Sequence, residues 1–323
     1  MSLHDQTSPV PVAVAPVPAL LASDLDRAAE LARQEKAKAT RRAYGSDFEI
    51  FRAWCADRDI NSLPATPESV AAFLANEVER GIRPSTIGRR VASICYAHKL
   101  AGHPVPTDDE RVKATVRGIR RTQGTAARKK APATAERVIA MALGTGDGLK
   151  GLRDRALLLL GFAGAFRRSE LVALDCEDID ERETGLRVTV RRSKTDQEGQ
   201  GATIAIVRGS IACPVEALRA WLDAAGIATG PLFRSIRKGS KMGGRLTDQS
   251  VSDIVKAHAE RVGLEPGLFA GHSLRAGFLT SAAKRGASIF KMMDVSRHRS
   301  VDTLRGYVRD AEIFKDHAGT GLL

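Results

Sequence analysis

Between Ser23 and about Gly124, apolar side chains recur at helical spacing in four stretches: Leu25 to Leu31, Tyr44 to Trp54, Val70 to Val78 and Ile87 to Leu100. The residues between them punctuate short helices. Thr66-Pro67-Glu68 and Pro84-Ser85-Thr86 have the composition of helix starts, while Gly102-His103-Pro104 and Pro106-Thr107-Asp108 read as a stop and a restart. From Thr134 the pattern changes. Arg153 to Ala165 predicts a strongly apolar helix, and Leu186 to Arg191 and Ala202 to Val207 alternate as strands do, with a polar hairpin loop from Ser193 to Gly201. Helical faces return in Val215 to Ala224, Gln249 to Val262, Ser273 to Lys284, Ile289 to Val295 and Val301 to Val308. No repeat of fixed period runs through the chain.

These patterns predict a mostly α protein with a small β-sheet. A chain of 323 residues exceeds one ordinary core, so two domains are expected: a helical one over 23–122 and an α+β one over 134–323. The stretch 123–133 between them lacks periodicity and has the composition of a basic linker. Residues 1–22, with Pro9, Pro11, Pro16 and Pro18 and neither a basic start nor a continuous apolar run, predict a disordered tail rather than a secretory signal.

Composition narrows the partners. No apolar run approaches the roughly 18 residues that span a bilayer, so the chain is not expected to be a membrane protein. Cys55, Cys95, Cys176 and Cys213 are scattered, which argues against a disulfide framework and a zinc site and fits a reducing cytoplasm. The formal net charge of +12 implies an anionic partner, with DNA, RNA and acidic membrane all compatible. Arg41, Arg42, Arg89, Arg90, Arg117, Arg120 and Arg121 in the helical domain, and Lys129 and Lys130 in the linker, are the candidate phosphate contacts. For any single pair of them a solvated helix face explains the charge as well, and a solvated tether explains the linker.

The second domain supplies the chemistry. Arg167, Lys194, His272, Arg275, His298 and Tyr307 together suit attack on a phosphodiester. Arg167 and Arg275 can grip the non-bridging oxygens and stabilise the charge that grows on them. A free phenol is only about one-thousandth ionised at neutral pH, so Tyr307 as nucleophile needs a base, for which His272 is the candidate. Lys194 on the hairpin can protonate a leaving alkoxide, and His298 can donate a further hydrogen bond to the phosphate. His272 and Arg275 stand three apart on one helical turn and point the same way. Taken singly, each has an ordinary structural explanation: a helix start at Arg-x-Ser-Glu-Leu, a surface pair, a loop lysine, a core histidine, a half-buried aromatic. The ordered set is what is specific. Gly144-Thr-Gly-Asp-Gly-Leu-Lys150 lacks the spacing of a phosphate loop, and no metal-binding pattern is present, so neither cofactor nor metal is expected.

These residues resemble the boxes of the tyrosine recombinases, or phage-type integrases, in a layout similar to that of Cre and the Xer recombinases. Ala165-Phe-Arg-Arg-Ser-Glu-Leu171 looks like the first arginine box, Gly271-His-Ser-Leu-Arg-Ala-Gly277 like the His-x-x-Arg box, and Arg297-His298 followed by Tyr307 like the final segment. Thr40-Arg-Arg-Ala-Tyr44 through Trp54-Cys55, and Pro84-Ser-Thr-Ile87, are similar to the helical core-binding domain of integrases. Two positions depart from the pattern: Phe166 stands where Leu or Met is usual, and Arg297 replaces a glycine.

The resemblance implies a C-shaped clamp around duplex DNA bearing inverted-repeat target sites. It implies attack by Tyr307 to give a 3′-phosphotyrosine and a free 5′-hydroxyl, and pairwise strand exchange through a Holliday junction by a homotetramer on two sites. A bacterial or phage setting is implied, with no cofactor. The end from Asp310 to Leu323, apolar at Ile313, Phe314, Leu322 and Leu323, is either lent to a neighbouring protomer or packed on its own domain. Two other readings share the residues: a type IB topoisomerase, and a non-catalytic DNA-binding regulator of the same fold. The intact set of six side chains argues against the regulator, since a pure binder needs no nucleophile.

Overall fold

The computed structural model describes residues 19–33, 35–125, 130–191, 201–311, 313 and 318–320. The chain separates into two compact units, Met1–Ala127 and Arg128–Leu323.

The first unit is helical: α1 (Ala19–Arg33), α2 (Lys38–Ala56), α3 (Pro67–Glu79), α4 (Pro84–Leu100) and α5 (Glu110–Gln123). Helix α1 begins at Ala19, inside the stretch where the sequence predicted a tail. Its Leu21, Leu25 and Leu31 are solvent-exposed. Thr66 caps α3 by accepting from the Ser69 amide at 3.2 Å, with Pro67 in the first turn, and Asp109 caps α5 from the Arg111 amide at 2.9 Å. The periodic apolar residues of α2, α3 and α4 meet in one core, in which Phe73 packs on Phe51 at 5.0 Å between ring centroids and edge-on to Trp54 at 5.5 Å.

Arg90 belongs to this core and not to the surface where the sequence reading placed it. Only 6 % exposed, it is paired with buried Glu77 and lies 3.7 Å from Asp47, and burial lowers its pKa. The cause is periodicity: Arg90 lies three residues from Ile87 and four from Ile94, on the inward face of α4. A buried guanidinium paired with carboxylates is not available to a phosphate.

In the second unit α7 (Leu149–Ala163) is the central helix. Ala156 to Leu160 are all buried, since α6 (Ala135–Leu143), α9 (Pro214–Ala225) and α11 (His272–Lys284) cover it from different sides. A buried carboxylate ties it to α10 (Asp248–Arg261): Asp154 accepts from Arg153 at 2.6 Å and contacts His258 Nε2 at 3.0 Å. The three-stranded antiparallel sheet runs β1 (Ile179–Arg182), β2 (Gly185–Val190), β3 (Ala202–Val207). Leu186 faces Ile206 and Val188 faces Ile204 on the buried side, while Arg187 and Thr189 point to solvent, as the alternation predicted. Residues 193–200 of the hairpin loop, Lys194 among them, lie outside the described residues.

A second hairpin, β4 (Arg234–Ile236) and β5 (Met242–Arg245), has no forerunner in the sequence reading, nor do β1 and α6. Strands this short, with Gly243 and Gly244 in one of them, carry too few alternations to register. The remaining helices are α8 (Arg168–Ala173), α12 (Ile289–Ser296) and α13 (Val301–Ala311). Residues 130–133 lie against this unit: the Ala131 amide donates to Leu268 O at 2.8 Å and the Ala133 amide to Ser273 O at 2.9 Å. Gly277 makes that possible, because a Cβ there would stand 1.7 Å from the Ala133 carbonyl oxygen. Of the apolar residues near the C-terminus, Ile313 is exposed, and Phe314, Leu322 and Leu323 lie outside the described residues.

Trp221 of α9 is fully buried and donates from its indole nitrogen to Leu232 O at 2.9 Å. Trp221→Ala is expected to destabilise the second unit by about 3–5 kcal/mol, through the cavity and the orphaned carbonyl. Urea denaturation followed by circular dichroism measures it; a loss below about 1 kcal/mol, the level of an ordinary surface change, contradicts this account of the core.

Candidate active site

The turn between α7 and α8 carries the first arginine. Ala165 turns the chain with φ +44°, and Arg167 then occupies the N-cap of α8 in an extended conformation. Glu170, three residues on and 2 % exposed, reaches back: Oε2 accepts the Arg167 amide at 2.9 Å and Oε1 accepts its guanidinium at 2.5 Å. This is the reciprocal half of a capping box, and it fixes both ends of Arg167.

Helix α11 presents the next pair from its first turn. His272 is solvent-exposed, while Arg275 is 1 % exposed and donates from Nη1 to the Ala165 carbonyl at 2.7 Å. Its Nη2 stands 3.1 Å from Nε2 and 3.2 Å from Nδ1 of His298, which follows α12. Ser296 completes this corner, with its hydroxyl 2.6 Å from Met292 O and 2.8 Å from His298 Nδ1. Tyr307 projects from α13, half-buried among Leu279, Met292 and Leu304.

The electrostatics follow from the census of charges. Arg297 and Arg167 pair with one buried carboxylate, Glu170, and their charges, with the Arg167 amide and guanidinium hydrogen bonds, hold it ionised against the desolvation of its site; Arg275 feels the same carboxylate without a contact. Burial, with Arg167 and Arg297 nearby, pulls the Arg275 pKa down to about 9, so Arg275 remains a cation at neutral pH. Partial desolvation by the side chains packed around its ring, with the charge of Arg275, Arg167 and Arg168, lowers His272 below 6.5 although one edge of the residue is open to solvent, and burial with guanidinium charge brings half-buried His298 to about 4. Both imidazoles are therefore neutral at pH 7. Burial raises the Tyr307 phenol above 10, and the charge of Arg275 opposes that rise. The cluster is an excess of positive charge with neutral proton acceptors beside it, a place where an anion is stabilised and a proton can be taken. Among the described residues no group of three His, Cys, Asp or Glu side chains is placed to hold a metal.

Five of the six predicted side chains, Arg167, His272, Arg275, His298 and Tyr307, thus meet in the second unit. The sixth, Lys194, lies outside the described residues. Glu170 and Ser296 had been given no role: Glu170 was hidden as part of an ordinary helix start, and a serine two residues before a histidine carries no signal of its own.

The predicted phosphate contacts are less uniform. Arg42, Arg89, Arg117, Arg120 and Arg121 are exposed and Arg41 is half-buried. Arg89 pairs with Asp47 at 2.6 Å, and Arg117 pairs with Glu110. Arg42, Arg120 and Arg121 have no ion pair among the described residues. Lys130 donates to the Gly267 carbonyl at 2.5 Å, and Lys129 lies outside the described residues.

Residues 134–312 match the model of the phage integrase family. The chain is 42 % identical over 295 residues to an integrase/recombinase XerD homologue of Selenomonas ruminantium, covering 88 % of this chain and 86 % of the relative. It is 30 % identical over 281 residues to the tyrosine recombinase XerD of Bifidobacterium longum, covering 84 % and 86 %. The fold resembles that of lambda integrase solved as a dimer bound to a COC′ core site, with a TM-score of 0.62, 19 % identity, and coverage of 92 % of this chain and 79 % of that one. The chain belongs to the phage integrase family and is a tyrosine recombinase, an enzyme of site-specific DNA recombination.

Proposed function

We propose that Tyr307 is the nucleophile of this recombinase and that Arg167, Lys194, His272, Arg275 and His298 are its catalytic partners. The observation that carries the reading is the convergence of two guanidinia and two neutral imidazoles, with the Tyr307 phenol close enough to Arg275 to feel its charge. The Tyr307 oxygen attacks the scissile phosphorus while its proton passes to His272. The bond to the 5′-oxygen breaks, and Lys194 protonates that oxygen. The products are a 3′-phosphotyrosine and a free 5′-hydroxyl. Attack by a partner strand's 5′-hydroxyl reverses the step, so the ester conserves the bond energy and no nucleotide is consumed. Arg167 and Arg275 stabilise the equatorial oxygens, and His298 supplies a further hydrogen bond.

The substrate in this reading is duplex DNA with inverted-repeat sites, on which four protomers exchange strands pairwise through a Holliday junction, in the cytoplasm of a bacterium. The four cysteines are unpaired, which suits a reducing compartment, and among the described residues no helix is long and apolar enough to cross a membrane. The helical segment 23–122 is the core-binding domain, 123–133 the connection and 134–323 the catalytic domain. Arg41, Arg42, Arg89, Arg117, Arg120 and Arg121, with Lys129 and Lys130, contact the backbone; Arg90 does not.

Covalent capture tests the nucleophile. The protein is incubated with randomly nicked genomic DNA of the organism that encodes it, denatured in detergent, and the attached DNA sequenced. Wild type is expected to retain fragments at a few recurrent sites and Tyr307→Phe none. Tight binding by both without a covalent product moves the reading to a DNA-binding regulator.

The pH dependence has a definite sign. A base must be neutral, and the His272 pKa lies below 6.5 in the free protein. Cleavage at sub-saturating DNA, which reports the free enzyme's groups, is therefore flat with pH just above 6.5 and declines as pH falls through the lowered value. An acid limb centred above 6.5 contradicts His272 as the base. For the backbone contacts, Arg121→Ala is expected to reduce the slope of log K against log salt by about one; an unchanged slope removes Arg121 from the interface.

A further inference from the structure

Phe166 and Arg297, the two positions that depart from the family pattern, meet in space. The Arg297 guanidinium carbon lies 5.1 Å from the centroid of the Phe166 ring. That ring is 2 % exposed and fills the room left by Gly164, where a Cβ would stand 2.2 Å from it. From this platform Arg297 Nη2 donates to Glu170 Oε2 at 2.7 Å, the same oxygen that accepts the Arg167 amide. Its Nη1 donates to Gly164 O at 3.1 Å and to Val295 O at 2.6 Å, and Nη2 also reaches Ala165 O at 3.3 Å. Ala165 O is the carbonyl that holds Arg275 as well. One side chain thus bridges the arginine turn, the buried carboxylate and the segment that carries His298 as its next residue.

The backbone adds an independent observation. Arg297 has φ +57° and ψ +40°, a left-handed conformation that a Cβ disfavours and that glycine adopts freely. Ala165, at the other end of the same network, is also left-handed, with φ +44°. Residues held in such conformations persist when their surroundings over-determine them, and they gather at functional sites.

Resting on the assignment of Arg167, Arg275 and His298 as catalytic partners, we propose that Arg297 is a positioning residue for strand cleavage and that Phe166 is its platform. Arg297 shares the Glu170 carboxylate, so that Arg167 keeps its charge for the scissile phosphate. It also sets the place of His298 relative to Arg275 through the Gly164 and Ala165 carbonyls. The pair Phe166 and Arg297 thereby does with side chains what a left-handed glycine leaves to the backbone alone.

Arg297→Gly is the informative variant, because glycine accepts the left-handed backbone and the substitution removes only the side chain. Covalent adduct formation on the nicked genomic DNA is timed for wild type, Arg297→Gly, Arg297→Lys, Phe166→Leu and the double variant, with Tyr307→Phe as blank. Retention of the same DNA without denaturation and the thermal midpoint are measured alongside. Arg297→Gly is expected to slow adduct formation roughly 10- to 100-fold, the scale of a small misplacement of reacting groups, with DNA retention unchanged, in assays run well below a thermal midpoint that falls because Glu170 loses a buried partner. Arg297→Lys should recover part of the rate, and Phe166→Leu should slow wild type but not slow Arg297→Gly further. A wild-type rate for Arg297→Gly, or a slowing matched by lost retention, overturns the positioning role while leaving the nucleophile intact. Independent, multiplying effects of the two substitutions overturn the platform. Absence of any adduct with wild type overturns the catalytic assignment itself, and the inference with it.

Discussion

Glu170 is the constraint on which the catalytic unit turns. Its carboxylate is out of water, and an unpaired charge there would be strongly unfavourable, so each oxygen must be satisfied. Arg167 satisfies one through its guanidinium and the other through its amide, and Arg297 shares the second. The position of Arg167, the start of α8 and the path of the chain before His298 are consequences of that requirement. Because Arg167 and Arg297 share one acid and Arg275 adds a third cation beside them, the site retains an excess of positive charge, and backbone carbonyls hold Arg275 and Arg297 in place. Such a site is preorganised for an anion, since little reorganisation is needed when a phosphate arrives.

The same charge distribution sets the proton chemistry. An imidazole beside buried guanidinia loses its proton more readily, which places His272 below 6.5 and His298 at about 4. Neutral imidazoles are what a base and a tautomer-dependent donor require. Ser296 bears on the tautomer: its single hydroxyl proton goes either to Met292 O or to His298 Nδ1. In the second case Nε2 carries hydrogen and faces the cluster as a donor. The phenol, raised by burial and lowered by Arg275, stays protonated at rest, so Tyr307 needs a proton acceptor beside it to act as the proposed nucleophile.

The helical unit illustrates the converse use of arginine. Arg89 and Arg90 are adjacent in the chain, yet one is exposed and pairs at the rim with Asp47, and the other is sealed in the core with Glu77. A step of 100° along a helix separates a surface cation from a structural one. Net charge therefore overstates the number of cations that can meet an anionic partner, and Arg120 and Arg121 of α5, without an ion pair among the described residues, are the better guide to such a face.

Much of this was legible in the sequence. Apolar periodicity located nearly every long helix, and alternation located β2 and β3, because both patterns are local records of which face is buried. The candidate set was legible through the order and chemistry of Arg167, His272, Arg275, His298 and Tyr307, side chains whose types alone define what they can do to a phosphodiester. What only the tertiary structure decided depends on distant partners. The short elements β1, β4, β5 and α6 hold their place by packing more than by pattern, and Arg90 is buried because Glu77 waits on another helix. Arg297 looked in the sequence like a lost glycine. Its ring platform lies 131 positions earlier in the chain, at Phe166, and its carboxylate partner 127 earlier, at Glu170, and no local pattern encodes a charge pair closed across that separation.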